Sequence, residues 1–283
     1  MTETPTSHSP VETGYAPVND LRMYYELHGQ GGVPLLLLHG GLFDIDQQFG
    51  ALLPTLSVGR RVVAADFQGH GRTNDVDRPL TGDGLTSDVV GLLEHLHLDQ
   101  VDVWGFSVGG AVALQLAITR PDLVRKLIVS SVSFRAEGMR GENSEAVAEM
   151  KVEMIAGTPM EAAYLAKSPH PDHEHLQGLL NKLAASDRGF REWSDDDIRG
   201  ITAPTLMTVG DCDAVRLDHA VRFLQLRGGD VNGDFEGVPG SQLAVLPGTT
   251  HFSGLSRPAL VQEIVLGFLD APPPTGWSDR EQS

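Results

Sequence analysis

A single cysteine, Cys212, in 283 residues excludes an internal disulfide and fits a reducing compartment. Positive charge is also scarce: 21 Lys and Arg stand against 38 Asp and Glu, a formal net charge of −17. The acidic excess is spread along the chain, which argues against a phosphate backbone and hence against a nucleic-acid partner. It also leans toward neutral or cationic ligands rather than anionic ones. Long apolar runs are missing too, since none approaches the ~20 residues that a bilayer-spanning helix needs. No membrane partner is expected. The N-terminus through Pro10 is polar, without the charged-then-apolar layout of a secretory signal, which sets a cytoplasmic expectation.

What is present is the material of one large α/β domain. Apolar residues make up 41% of the chain, enough at this length to pack a sizeable core. Residues 1–12, rich in Thr, Ser, Pro and Glu, read as a mobile tail, and residues 275–283, after three consecutive prolines, as a frayed end. Tyr15 to Val18 and Leu21 to Leu27, separated by Asn19-Asp20, predict an antiparallel hairpin. Short apolar runs then alternate with helical patterns. The strands expected are Leu35 to Leu38, Arg61 to Ala65, Val101 to Trp104, Lys126 to Ser131, Thr205 to Val209 and Leu243 to Leu246. That alternation predicts a mostly parallel, eight-stranded sheet with helices on both faces and ligands beyond the carboxyl ends of the strands. Between residues 134 and 200 the strand signal disappears. Glu142 to Ala156, Met160 to Ala166 and Leu176 to Ala185 show helical spacing there, with Met139, Met150, Met154 and Met160 available to line an adaptable apolar pocket.

Gly105-Phe106-Ser107-Val108-Gly109 is the most informative stretch, because the Val101 to Trp104 run ends at its first glycine and a helical pattern, Gly110 to Ile118, follows its last. Ser107 therefore sits on a strand-to-helix turn. Flanking glycines remove side chains that would collide with strand and helix, which pushes the hydroxyl out toward a substrate. A serine hydroxyl needs a base and a carboxylate to orient that base. Both follow downstream. Gly210-Asp211-Cys212-Asp213 puts two carboxylates after one strand, and Pro247-Gly248-Thr249-Thr250-His251 puts a histidine on a loop after the last. Upstream, His39-Gly40-Gly41-Leu42 follows another strand, and its N–H groups can complete an oxyanion hole. The donors would be the amides of Val108 and Gly41, with Leu42 as the neighbouring possibility.

The chain order serine, acid, histidine belongs to the α/β-hydrolase fold. Over nearly its whole length the chain resembles that superfamily: His39-Gly40-Gly41 matches the oxyanion loop, Asp66 to Thr73 the D-x-x-G-x-G-x-S turn with Thr73 in the last place, and Gly105 to Gly109 the nucleophile turn. The resemblance implies Asp213 rather than Asp211 as the acid, His251 as the base, and a helical lid, residues 134–200, inserted after the sixth strand. The core is then 13–133 with 201–274. A serine at position 107 argues against the dehalogenase and epoxide-hydrolase branches, which use aspartate. The function expected is hydrolysis of a carboxylic ester or lactone of an uncharged, fairly bulky small molecule through an acyl-enzyme, with no cofactor or metal required. A weaker similarity, carried by His39 to Leu42 and Gly105 to Gly110, is to macrolide esterases involved in antibiotic resistance. The alternatives are a cofactor-free perhydrolase or haloperoxidase using the same residues, and a receptor-like binding protein that retains the triad.

Other segments imitate sites. His170-Pro171-Asp172-His173-Glu174-His175 concentrates metal-ligand side chains but reads as a solvated loop. Asp230-Val231-Asn232-Gly233-Asp234 opens like a calcium loop, yet Phe235 stands where that loop needs glycine and Ser241 where it needs glutamate. Residues 228–240 read instead as an excursion that influences access to His251. His39 and His70 are expected to be structural, and Cys212 a packing residue.

Overall fold

In this computed structural model, residues 12–186 and 192–272 are described. Eight strands form one sheet: β1 (Glu12–Val18), β2 (Leu21–His28), β3 (Leu35–Leu38), β4 (Val62–Ala65), β5 (Val101–Phe106), β6 (Val124–Ser130), β7 (Thr205–Cys212) and β8 (Ser241–Thr250). Their spatial order is β1-β2-β4-β3-β5-β6-β7-β8, with β1 and β2 antiparallel and every pair from β4 to β8 parallel. The expected sheet is therefore present. Glu12, read as the last tail residue, opens β1 because it pairs with Leu27. Residues 1–11 and 273–283, including the C-terminal tail, lie outside the described residues.

The helices are α1 (Ile45–Phe49), α2 (Leu53–Leu56), α3 (Gly82–His95), α4 (Val108–Thr119), α5 (Gly141–Ala148), α6 (Val152–Ile155), α7 (Pro159–Lys167), α8 (His173–Ser186), α9 (Asp195–Gly200), α10 (Leu217–Leu226), α11 (Gly233–Glu236) and α12 (Pro258–Asp270). Strand residues alternate between two apolar layers, as the pleat dictates. Leu36, Leu38, Val103 and Val129 pack with α3 and α4 on one face, while Leu35, Leu37, Trp104 and Ile128 pack with α1, α2 and α12 on the other. Burial on both faces is why these strands read as unbroken apolar runs.

Two local features show how side chains finish what propensity begins. Lys126, buried in β6, donates from Nζ to the carbonyls of Phe268, Leu269 and Ala271 at 3.0, 2.9 and 2.7 Å, capping the C-terminus of α12. The helix expected over Glu142 to Ala156 is instead two helices, α5 and α6. Lys151 is extended between them (φ −127°, ψ 155°), and the N–H of Val152 donates to Gln177 Oε1 on α8 at 3.0 Å. A tertiary hydrogen bond here wins over helical continuity. α9, absent from the expected elements, is a short helix closed by a capping box between Ser194 and Asp197.

Candidate active site

Ser107 occupies the cap position of α4 but its side chain makes no cap bond, and its backbone lies in the left-handed region at φ 53°, ψ −113°. For a residue with a Cβ that conformation costs on the order of 1–3 kcal/mol and persists only where packing over-determines it. The packing is visible in the two glycines. A methyl group on Gly105 would lie 2.0 Å from the carbonyl oxygen of Gly109, and one on Gly109 2.1 Å from that of Leu38, so strand and helix meet backbone to backbone. Ser107 N–H donates to Ser130 O at 2.9 Å and Gly109 N–H to His39 O at 3.0 Å, which fixes the turn to β6 and to the end of β3.

The hydroxyl this turn presents lies 3.0 Å from Nε2 of His251. On its other side, His251 Nδ1–H donates to Asp213 Oδ1 at 2.9 Å. Three residues from the ends of β5, β7 and β8 thus form one hydrogen-bonded chain. Asp213 is buried and also accepts from the amide of Val215 on Oδ1 at 3.1 Å, and from the amide of Gly210 and the hydroxyl of Ser131 on Oδ2 at 3.2 and 2.6 Å. Burial pushes its carboxyl upward, but the bond and charge of His251, the Ser131 hydroxyl and the Val215 amide outweigh it, so the group stays ionised below the ordinary carboxylate range.

Asp211, the other carboxylate in the turn, is exposed and points elsewhere, accepting from the amide of Thr249 at 3.2 Å. Its neighbourhood explains why. Gly210 pairs with Leu246 and Cys212 with Thr250, so Pro247, Gly248 and Thr249 face the single residue Asp211 across a bulge. The segment 247–250, expected as a loop, therefore continues β8, and Asp211 braces the irregularity that delivers His251.

The His39 to Leu42 segment faces the same hydroxyl. Gly41 and Val108 line the cavity with Ser107, and neither amide has a backbone hydrogen-bond partner among the described residues. The two are neighbours, for a methyl group on Gly41 would sit 3.3 Å from Val108 Cγ2. Leu42 holds a left-handed φ of 66°. His39 is fully buried, donating from Nδ1 to Gly40 O at 2.7 Å and accepting at Nε2 from Phe67 N–H at 3.0 Å. Burial, with His70 nearby, pushes it down to about 3, so it stays neutral and shapes its loop. His70, also buried, donates to Gln68 O at 2.9 Å.

The cavity above Ser107 has a volume of about 110 Å³. Its walls are largely apolar, with Phe43, Phe106 and Phe252 from the sheet side and Val147, Leu180 and Leu183 from the insert between β6 and β7; Asn143 and Ser186 add polar groups, and no Lys, Arg, Asp or Glu is among the described residues that line it. The methionines divide. Met139 and Met150 line this cavity, Met160 a separate small one, and Met154 is exposed. Residues 228–240, expected to influence access, contribute none of its lining. The histidine-rich segment, expected as a loop, opens α8 from His173; His170 stacks on His175 with ring centroids 4.5 Å apart, His175 meets Asp172 and His173 meets Glu161, and no three His, Cys, Asp or Glu converge as a metal site among the described residues. Cys212, expected to pack, is exposed. Among the described residues no helix is long and apolar enough to cross a membrane.

Comparison with known proteins bears on the family and the fold. The chain is 28% identical over 270 residues to a protein of Rhizobium rhizogenes assigned as the carbamate hydrolase RutD, covering 88% of this chain and 98% of that one. It is 27% identical over 275 residues to a 2-hydroxy-6-oxononadienedioate/2-hydroxy-6-oxononatrienedioate hydrolase of Pseudomonas putida, covering 88% and 92% of the two chains. Its fold is similar to that of the enol-lactonase of Burkholderia xenovorans LB400, with a TM-score of 0.67 and 22% identity over 91% of this chain and 100% of that one. The Alpha/beta hydrolase family profile matches residues 35–264. The chain therefore belongs to the alpha/beta hydrolase family, and hydrolysis is the class of chemistry that this membership supports.

Proposed function

We propose that this protein is a serine hydrolase that cleaves a neutral carboxylic ester or lactone through an acyl-enzyme. The observation that carries the reading is a hydrogen-bonded chain from Ser107 through His251 to Asp213, opening onto a cavity with no Lys, Arg, Asp or Glu among the described residues that line it. Ser107 Oγ attacks the acyl carbonyl while His251 Nε2 takes its proton, and Asp213 holds the imidazole with its Nδ1 protonated and steadies the imidazolium. The amides of Gly41 and Val108 donate to the oxyanion that forms, and losing one such donor typically costs on the order of 3 kcal/mol. Collapse of the tetrahedral species breaks the acyl–oxygen bond, and the leaving oxygen takes the proton back from His251. A water deprotonated by the same histidine then attacks the acyl carbon and frees Ser107.

The walls narrow the substrate. An apolar cavity of ~150 Å³ holds a benzene ring, so about 110 Å³ suits a compact acyl or alkoxy group. This favours a compact substrate over the fairly bulky one expected, and the macrolide lactone is not carried forward. A substrate with two carboxylates, such as the dioates named for the Pseudomonas putida relative, would bury charge against Val, Leu and Phe with no cation among the described lining residues to pair it, which is costly. The ester or lactone reading is therefore favoured over carbon–carbon cleavage of such anions. In this reading residues 134–200 act as a lid on the core formed by 13–133 and 201–274.

The test is a panel of aryl esters and small lactones of graded acyl length, together with a serine-directed phosphonate. Phosphonate labelling at Ser107 with turnover of short neutral esters is expected, and anionic esters should lag. Absence of both labelling and turnover would refute the proposal.

A further inference from the structure

Ser131 stands one residue beyond the end of β6 and was not among the residues the sequence singled out. It is buried, and its backbone lies in the left-handed region at φ 52°, where serine is uncommon and glycine or asparagine is at ease. Its amide donates to Thr208 O at 2.8 Å, tying the turn to β7, the strand that carries Asp213. The preceding residue faces the other way: Ser130 Oγ meets Trp104 Nε1 at 2.8 Å and Thr208 Oγ1 at 2.7 Å. The left-handed turn between the two serines thus sends consecutive hydroxyls to different partners, and that of Ser131 reaches Asp213 Oδ2 at 2.6 Å.

Four donors surround that carboxylate. Val215 and Gly210 contribute backbone amides at 3.1 and 3.2 Å, so among the described residues Ser131 is the shortest contact and the only side-chain donor besides His251. It also lies on the oxygen that His251 does not use. A carboxylate free to turn about its terminal bond presents either oxygen, or neither, to the imidazole. A charge-assisted bond on Oδ2 removes that freedom. We propose that Ser131 is a positioning residue whose hydroxyl sets the rotation of the Asp213 carboxylate, so that Oδ1 stays aimed at His251 Nδ1–H. This inference rests on the reading of Asp213 as the acid of the site.

Ser131→Ala and Ser131→Gly separate positioning from support of the fold. Both remove the hydroxyl, but only glycine is at ease at a positive φ, so Ser131→Gly should keep or raise Tm while Ser131→Ala lowers it. We expect kcat on a short ester to fall about tenfold in both variants with KM within about twofold, the scale of one hydrogen bond to a charged group. The proton NMR resonance of His251 Nδ1–H should shift or broaden in both. A Ser131→Gly variant with wild-type Tm, kcat within twofold of wild type and an unmoved resonance would overturn the proposal. So would a loss of rate seen only in the variant that loses stability. Asp213→Asn measured alongside keeps the two ideas apart: if it leaves kcat intact, the assignment of the acid fails, whereas its collapse beside unaffected Ser131 variants refutes only the positioning role.

Discussion

The rim of the sheet and the helical insert above it are held in different ways. At the rim, Ser107, Ser131 and Leu42 all sit at positive φ, and their conformations survive because the ends of parallel strands are locked by backbone hydrogen bonds and apolar packing on both faces. The insert has little of this. α8 and α9 reach the main core through Leu179, Leu183 and Ile198, but α7 buries none of its residues, and the insert's separate apolar cluster consists of Val152, Ile155, Leu176 and Leu180. Polar ties add to it: Lys167 on Asp44 at 2.8 Å, Lys182 on Asp75 at 2.8 Å, and Gln47 on the carbonyl of Pro159 at 3.1 Å. Segments with few buried contacts open at lower free energy than the core they rest on. In the proposed reading, geometry that must be exact is built into the sheet, and the surface that would select a substrate lies on the less buried insert.

Substitutions at the two regions should therefore fail differently. Ser107→Ala is expected to lower kcat on a short ester by about 10⁶-fold with Tm unchanged, because Oγ makes no cap bond that the fold depends on. Comparing kcat with a thermal melt checks this. Asp213→Asn should cost about 10⁴-fold in kcat, as the imidazole loses the partner that sets its tautomer. Asp211→Asn, which touches only the bulge before His251, should cost less than about tenfold. Equal losses at the two aspartates would erase the distinction between the acid and its neighbouring brace.

In the insert, Met150→Ala widens the cavity without touching the rim. It should shift preference toward longer acyl chains by about tenfold in relative kcat/KM, since one methylene in an apolar pocket is worth ~1–3 kcal/mol. The rate of phosphonate labelling at Ser107 should stay near wild type. A fall in labelling with no change in chain-length preference would count against the division of labour.

The smallest effect concerns the root of the insert. There Phe134 stacks on His219 of α10 with ring centroids 4.1 Å apart, and Phe134 N–H donates to His219 Nε2 at 3.2 Å. Burial pushes His219 down to about 4 from an ordinary 6.5, so the folded protein keeps it neutral where the unfolded chain protonates it. Its contribution is complete above pH 6.5 and is lost as pH falls toward about 4, at up to about 1.4 kcal/mol per pH unit. His219→Gln keeps an acceptor for Phe134 and does not titrate, so it should flatten the fall of Tm over that window. An unchanged slope would mean that other groups set the acid sensitivity of this joint.

Much of the sheet was legible because strands buried on both faces must be short apolar runs, and those runs end at glycine and polar turns that a parallel α/β topology requires. Leu35 to Leu38 begins and ends where the sequence pattern places it. The two helices that replace Glu142 to Ala156 were not legible, because Gln177, distant in sequence, takes the Val152 N–H. Lys126 reads as a polar start to a strand, and only the approach of α12 makes it a cap. Ser131 carries no local signal at all, since its partner lies 82 residues away.

By itself the chain determined the order of serine, acid and histidine, the glycines that allow the turn at Ser107, and the strand ends where each group stands, because these follow from local sterics and burial pattern. Only the tertiary structure decided which methionines face the cavity, how large that cavity is, and that Ser131 joins the site. Those outcomes depend on distances between segments far apart in sequence, and such distances exist only once the sheet has closed the loops between them.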